Sequence, residues 1–285
     1  MNLLNNYKFY IIIYLVVSTI FNQGYKFVTK TMNNSGALTI LIQIISSLTC
    51  ILIIPLFEIK FPSNYKVYIF LFLAIIFYTL NDRLGTTARS GIDASTYNIL
   101  KQLSTVFMII MGLFFFKEQF VLNKIVGALL IILSNLLVFY KKENFGINKY
   151  LILGILANIS LSIALFLDVN YSKEFNLAFY VLLTFLIPLI LIFIFERIKV
   201  KQIINEYKKS NKIILLVTSI SWSIMMISKL KTYELGSVIV VAPLTSLTVI
   251  LNIFVSYFLL KEKSNLIKKI IAGILIVIGI LLIKM

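Results

Sequence analysis

"MGLFFFKEQFVLNKIVGALLIILSN", residues 111–135, occurs a second time in altered form as "VSYFLLKEKSNLIKKIIAGILIVIG", residues 255–279. Each copy is an apolar run, a Lys-Glu corner and a further apolar run that contains glycine. The corner Lys117-Glu118 recurs as Lys261-Glu262, 144 residues on. Earlier in each half, "LIIPLFEIK" at 52–60 parallels "LIFIFERIK" at 191–199, with Glu58 recurring as Glu196, 138 residues on. Polar markers repeated in one order divide the chain into a first repeat, 1–143, and a second, 144–285.

Of the 285 residues, 60% are hydrophobic and only 13% charged, which places the chain in a bilayer. Crossing about 30 Å of hydrocarbon takes roughly 20 apolar residues in a helix. Apolar runs between charged or Gly/Asn/Pro breaks predict ten helices: 7–28, 36–57, 66–86, 92–116, 120–140, 149–168, 177–195, 211–231, 237–259 and 264–283. The first run is read as a retained helix, because Asn22, Gln23, Tyr25 and Lys26 follow it without a small-residue cleavage site. "NDRLGTTARSGIDAS" at 81–95 reads as a tight polar turn, and "ERIKVKQIINEYKKSNK" at 196–212 as the chief long loop. Five helices per half is odd, so the second half enters the membrane from the opposite side. The expected fold is an all-α integral membrane protein, ten transmembrane helices in two inverted-topology five-helix repeats. That is the architecture of secondary transporters, which open a central site alternately to either side.

The net charge of +16 comes from 27 Lys and Arg against 11 Asp and Glu. Between helices this short of connecting chain, basic residues anchor to headgroups, and no nucleic-acid module fits. The single cysteine, Cys50, cannot form a disulfide within the chain, and with no histidine the usual zinc, haem and Ser-His-Asp sites lack their imidazole. An enzyme acting on lipid would gather acids or metal ligands, and no close acidic cluster is present. No cofactor or metal is implied. The expected partners are the bilayer and a small-molecule substrate, and monomer and homodimer are both compatible with the sequence. A non-transporting scaffold or receptor is a further alternative, which a flux assay separates.

"ASTYNILKQLSTVFMIIMGLFFFKEQFVLNKIVGALLIILSNLLVFY" at 94–140 resembles the end of an EamA domain of the drug/metabolite transporter superfamily, and "SVIVVAPLTSLTVILNIFVSYFLLKEKSNLIKKIIAGILIVIGILLI" at 237–283 resembles the same element in a second copy. Thr105 stands where many relatives have proline, and Lys117 and Lys261 replace the glycine of the usual Gly-Glu corner. The resemblance implies a cell-membrane transporter of small metabolites, amino acids, nucleotide sugars or drugs. It places both termini in the cytoplasm, whereas the excess of Lys and Arg at the opposite helix ends places them outside.

Within the fourth predicted helix, Lys101 is too deep for easy escape to water. A lysine at a helix centre costs about 2.5–3.5 kcal/mol on insertion scales. Ala94, Asn98, Lys101, Thr105, Met108 and Gly112 share one helical face, and Ile99, Leu103, Val106, Ile110 and Leu113 another. The polar stripe is expected to meet a cavity and the apolar stripe lipid. At the 144-residue offset, Thr245, Thr248 and Asn252 give the ninth helix a neutral polar stripe. Tyr14, Tyr78, Asn158 and Trp222 add polar or aromatic groups from the first, third, sixth and eighth helices. Tyr25 and Tyr68 read as interface anchors, and Asp82, Asp93 and Asp168 as helix-end acids. The candidate substrate-binding residues are therefore Lys101, Asn98, Thr105, Thr245, Thr248, Asn252, Trp222, Tyr14, Tyr78 and Asn158. Lys101 either meets an anionic group of the solute, or only helps assemble the bundle by pairing with an acid such as Asp82 or Asp93 or by stretching to the headgroups. The first role suits a transporter of a small polar organic solute of metabolite or amino-acid type, by export or exchange. A carrier of nucleotide sugars or phosphorylated metabolites is the alternative.

Overall fold

A computed structural model describes residues 6–104, 106–107, 122–139, 148–236, 238–261 and 265–284. The described helices are α1 (Tyr7–Lys30), α2 (Ser35–Ile53), α3 (Tyr65–Gly91), α4 (Ala94–Lys101), α5 (Leu122–Phe139), α6 (Lys149–Tyr171), α7 (Leu177–Phe195), α8 (Val200–Lys209), α9 (Lys212–Leu235), α10 (Val238–Leu259) and α11 (Leu266–Lys284). Among the described residues, six helical stretches are long and apolar enough to cross a membrane: α1, α2 with its 3₁₀ extension to Leu56, α3, α6 with its extension to Glu174, α7 and α9. Thr105, Lys117, Glu118 and Glu262 lie outside the described residues.

One residue type starts all six. Asn6, Asn34, Asn64, Asn148, Asn176 and Asn211 each accept a backbone N–H from the first turn of the helix that follows, at 2.9–3.1 Å. An asparagine cap satisfies a donor that the helix cannot, and marks where the chain leaves water.

The helices pack in reciprocal pairs: α1 on α9, α3 on α6, α2 on α7, and α5 on α11. Buried polar contacts fasten them. The Ser46 and Ser223 hydroxyls donate across the α2–α9 contact, to Ser219 O and Ser46 O, each at 2.9 Å. Gln23 Nε2 on α1 donates to Asn252 Oδ1 at 3.1 Å and Ser256 Oγ at 2.8 Å on α10, and Ser256 Oγ lies 3.2 Å from Gln23 Oε1. In a membrane, where apolar surface gains little by leaving lipid, such contacts and close packing hold helices together.

Glycine permits the closest approach. A Cβ on Gly279 of α11 would lie 2.7 Å from the Gly127 carbonyl oxygen of α5, a backbone atom that no rotamer change moves. Gly279→Val is expected to cost about 1–3 kcal/mol by forcing the helices apart. Thermal unfolding checks this; an unchanged midpoint would mean that the contact is not close.

Three expectations change. Residues 81–91 are no turn: α3 runs on to Gly91, because the polar residues there meet other protein groups and not water. The expected long loop contains α8, whose Val200, Ile203, Ile204 and Tyr207 recur at helical spacing inside a polar stretch that an apolar-run search passes over. The apolar stripe of the fourth predicted helix, 92–116, does not face lipid at Ile99 and Val106, which are buried with Ile131, Val249, Ile253 and Ile276.

One departure from the resembled family also acquires a geometry. Lys261, in place of the corner glycine, has φ 55°, the left-handed region where glycine carries no steric cost.

Candidate functional site

The polar stripe of α3 creates the site. Tyr78, Asp82, Gly85, Thr86 and Arg89 fall at three- and four-residue steps on one face. Tyr78, Asp82 and Arg89 line a cavity of about 610 Å³, its mouth included, closed by α1, α4, α6, α7 and α9.

Three cations enter it: Arg89 from α3, Lys101 from α4 and Lys229 from α9. Lys101 feels the charges of both others. Among the described residues, none of the three makes an ion pair within 4 Å. Asp82 is the acid on the wall and Asp168 acts on Lys229 from behind it, so the three basic groups outnumber the two acids near them. Its Oδ2 accepts from Gln43 Nε2 at 2.8 Å and its Oδ1 from Asn81 Nδ2 at 3.0 Å. Asp93 is engaged elsewhere, by Lys269 at 2.8 Å. Neither acid pairs with Lys101, which removes the paired reading of that lysine.

The helix itself changes at this lysine. Lys101 is the last residue of α4, and Gln102 N donates to Ile99 O at 3.0 Å, a tighter three-residue bond, before helical geometry resumes.

Aromatic rings form the opposite wall. Trp222 stacks on Phe21 with centroids 5.5 Å apart and meets Phe185 at 4.7 Å. The Arg89 guanidinium lies 4.1 Å from the Tyr97 centroid, 4.4 Å from Tyr25 and 5.5 Å from Phe21. Facing several rings, a cation keeps electrostatic stabilisation without water. Lys26 Nζ donates to Arg89 O at 2.7 Å and to Ile92 O, so a second cation holds the end of α3.

Behind the wall, Asp168 of α6 is fully buried. Its Oδ1 accepts the Tyr180 hydroxyl at 2.6 Å and its Oδ2 the Tyr78 hydroxyl, while Lys229 feels its charge.

Of the expected residues, Lys101, Trp222, Tyr14 and Tyr78 line this cavity. Asn98 lies off it and donates to Ala94 O at 2.9 Å. Asn158 donates to Gly154 O at 2.7 Å within α6. On α10, Thr248 donates to Thr245 O at 2.8 Å and Asn252 to Thr248 O at 2.7 Å, and the Asn252 side chain is held by Gln23. At Asn252 the neutral stripe thus meets α1, while α7 joins the wall through Thr184 and Phe185. Arg89 and Lys229 did not emerge from the sequence, Asp82 did so as a helix-end acid, and Tyr25 is no interface anchor but a buried wall residue, its hydroxyl 2.7 Å from Thr86 Oγ1. The α3 stripe was present as a signal, since Tyr78, Asp82 and Arg89 continue one helical face through the stretch read as a turn.

No curated protein matches the sequence. A protein of known crystal structure aligns over 94% of this chain and 95% of its own, at 13% identity and a TM-score of 0.49. Residues 148–285 match the model of the EamA-like transporter family. The chain is therefore a multi-pass integral membrane protein whose residues 148–285 are similar to the EamA-like transporter family.

Proposed function

We propose that this protein is a secondary transporter of a small organic solute bearing an anionic group, which it moves across the cell membrane by alternating access between two inverted five-helix repeats. The observation that carries the substrate class is the meeting of Arg89, Lys101 and Lys229 in one aromatic-walled cavity with Asp82 as the lining acid. Unpaired cations away from water favour a carboxylate or phosphate strongly. An apolar portion of the solute would lie on Trp222, Phe21 and Phe185, and a zwitterion of amino-acid type could place its ammonium at Asp82.

Helix pairing supports the repeat. If residues 1–143 and 144–285 are equivalent, α1 corresponds to α6, α2 to α7, α3 to α9, α4 to α10 and α5 to α11. Exchanging the halves then turns the α1–α9 contact into α6–α3, and maps α2–α7 and α5–α11 onto themselves. A pseudo-twofold axis requires this pattern.

A thermal-shift panel of amino acids, sugar phosphates, nucleotide sugars and organic cations, run on wild type and Lys101→Met, tests the reading. Stabilisation by carboxylates or phosphates that falls at least about tenfold in apparent affinity in the variant is expected. Stabilisation only by neutral or cationic compounds, unaffected by the substitution, would overturn it. A phosphate requirement among the stabilising compounds would select the phosphorylated class over the amino-acid class.

A further inference from the structure

The connection between α7 and α9 carries a second recognition surface, independent of the cavity. α8 has three faces. Ile203 packs inward beside a cluster of Ile198, Ile192 and Ile40, and the buried Glu206 accepts the backbone N–H groups of Asn33 and Asn34 at 3.0 and 2.8 Å. That face is used by the protein itself.

A second face is apolar and open. Val200, Ile204 and Tyr207, at steps of four and three, are 59%, 46% and 43% exposed. They continue the exposed apolar residues at the end of α7, Ile194 and Phe195, and at the start of α9, Ile213 and Leu216. The open apolar stripe of α8 thus joins the exposed apolar ends of α7 and α9 in sequence.

The third face is cationic. Lys201, Lys208 and Lys209 are exposed along it, and Arg197, Lys199 and Lys212 flank the helix. The two acids of this stretch face other groups: Glu196 is held by Arg83, with Nη2 2.8 Å from Oε2, and Glu206 caps the α1–α2 turn. Six positive charges are thus left toward the surroundings, beside an open apolar stripe. A helix built this way lies in the plane of the headgroups, its apolar stripe on acyl chains and its lysines among phosphates.

We infer that α8 is an interfacial helix that binds anionic phospholipid headgroups, tying one leaflet to the α1–α2 turn through Glu206. The occupant follows from charge complementarity: zwitterionic lipid would supply the same apolar contact but no net charge for the lysines.

The test uses the full chain in neutral detergent, titrated with phosphatidylglycerol or phosphatidylcholine, with bound lipid counted by native mass spectrometry and unfolding followed in parallel. A Lys201→Gln/Lys208→Gln/Lys209→Gln variant alters only exposed side chains. Wild type is expected to retain phosphatidylglycerol over phosphatidylcholine. Each lysine near a charged surface contributes about fivefold, so the variant should lose more than about tenfold of that preference while unfolding as wild type does without added lipid. Rising salt should weaken the preference in wild type. Equal retention of the two lipids by wild type, or an undiminished preference in the variant, would overturn the inference. Neither result depends on what the central cavity transports.

Discussion

Arg89→Met is expected to abolish measurable binding of the anionic solute and to lower the stability of the empty protein at the same time. The guanidinium contacts the faces of Tyr97, Tyr25 and Phe21, at 4.1, 4.4 and 5.5 Å. Cation–π contacts contribute about 0.5–2 kcal/mol each, the upper end applying where water is excluded. Removing one partner of a buried charge pair costs about 2–5 kcal/mol of binding, or at least about thirtyfold in affinity. Arg89→Lys separates the two roles. It keeps the charge but loses the planar group that lies against three rings, so it should retain a preference for anions and still unfold earlier. Ligand titration and thermal unfolding on all three proteins provide the comparison. Wild-type affinity for an anionic ligand in Arg89→Met would remove Arg89 from the binding site.

Asp168→Ala should be the most destabilising single change in the polar interior. Two tyrosine hydroxyls, from α3 and α7, converge on this α6 carboxylate, and all three side chains are buried. Truncation leaves both hydroxyls without an acceptor, at about 1–3 kcal/mol each. It also deprives Lys229 of the acid whose charge it feels. A loss of roughly 3–5 kcal/mol corresponds to a fall in melting temperature on the order of ten degrees. Asp168→Asn, which keeps one acceptor oxygen, should fall between the two. An alanine variant melting within a degree or two of wild type would show that the hydroxyls find other partners.

The membrane-spanning helices were legible because hydrocarbon imposes one length and one composition on any segment that crosses it, and because asparagine marks each described crossing's start. Lys101 was legible for the same reason in reverse: a cation there has a cost. What escaped lay where that contrast fails. Asp82 and Arg89 sit in a stretch so polar that it read as exposed, although their polarity is matched by Gln43, Asn81 and three rings inside the protein. Lys229 falls near the end of the eighth predicted helix, 211–231, and only the pairing of α9 with α1 turns it toward Lys101. Thr245, Thr248 and Asn252 lie outside the lining of this cavity, since a polar stripe looks the same whether it meets a cavity or another helix. Gln23 decided between those outcomes, and it lies 229 residues from Asn252.

The bonds from Gln23 to Asn252 and Ser256 have a mechanical consequence. α1 comes from the first half of the chain, yet it is clamped to α10 and packed on α9, both from the second. Likewise α6, from the second half, lies against α3. Under the alternating access proposed above, a motion that opens the cavity would carry each half's leading helix with the other half, so the bodies that separate would be assembled by exchange between residues 1–143 and 144–285.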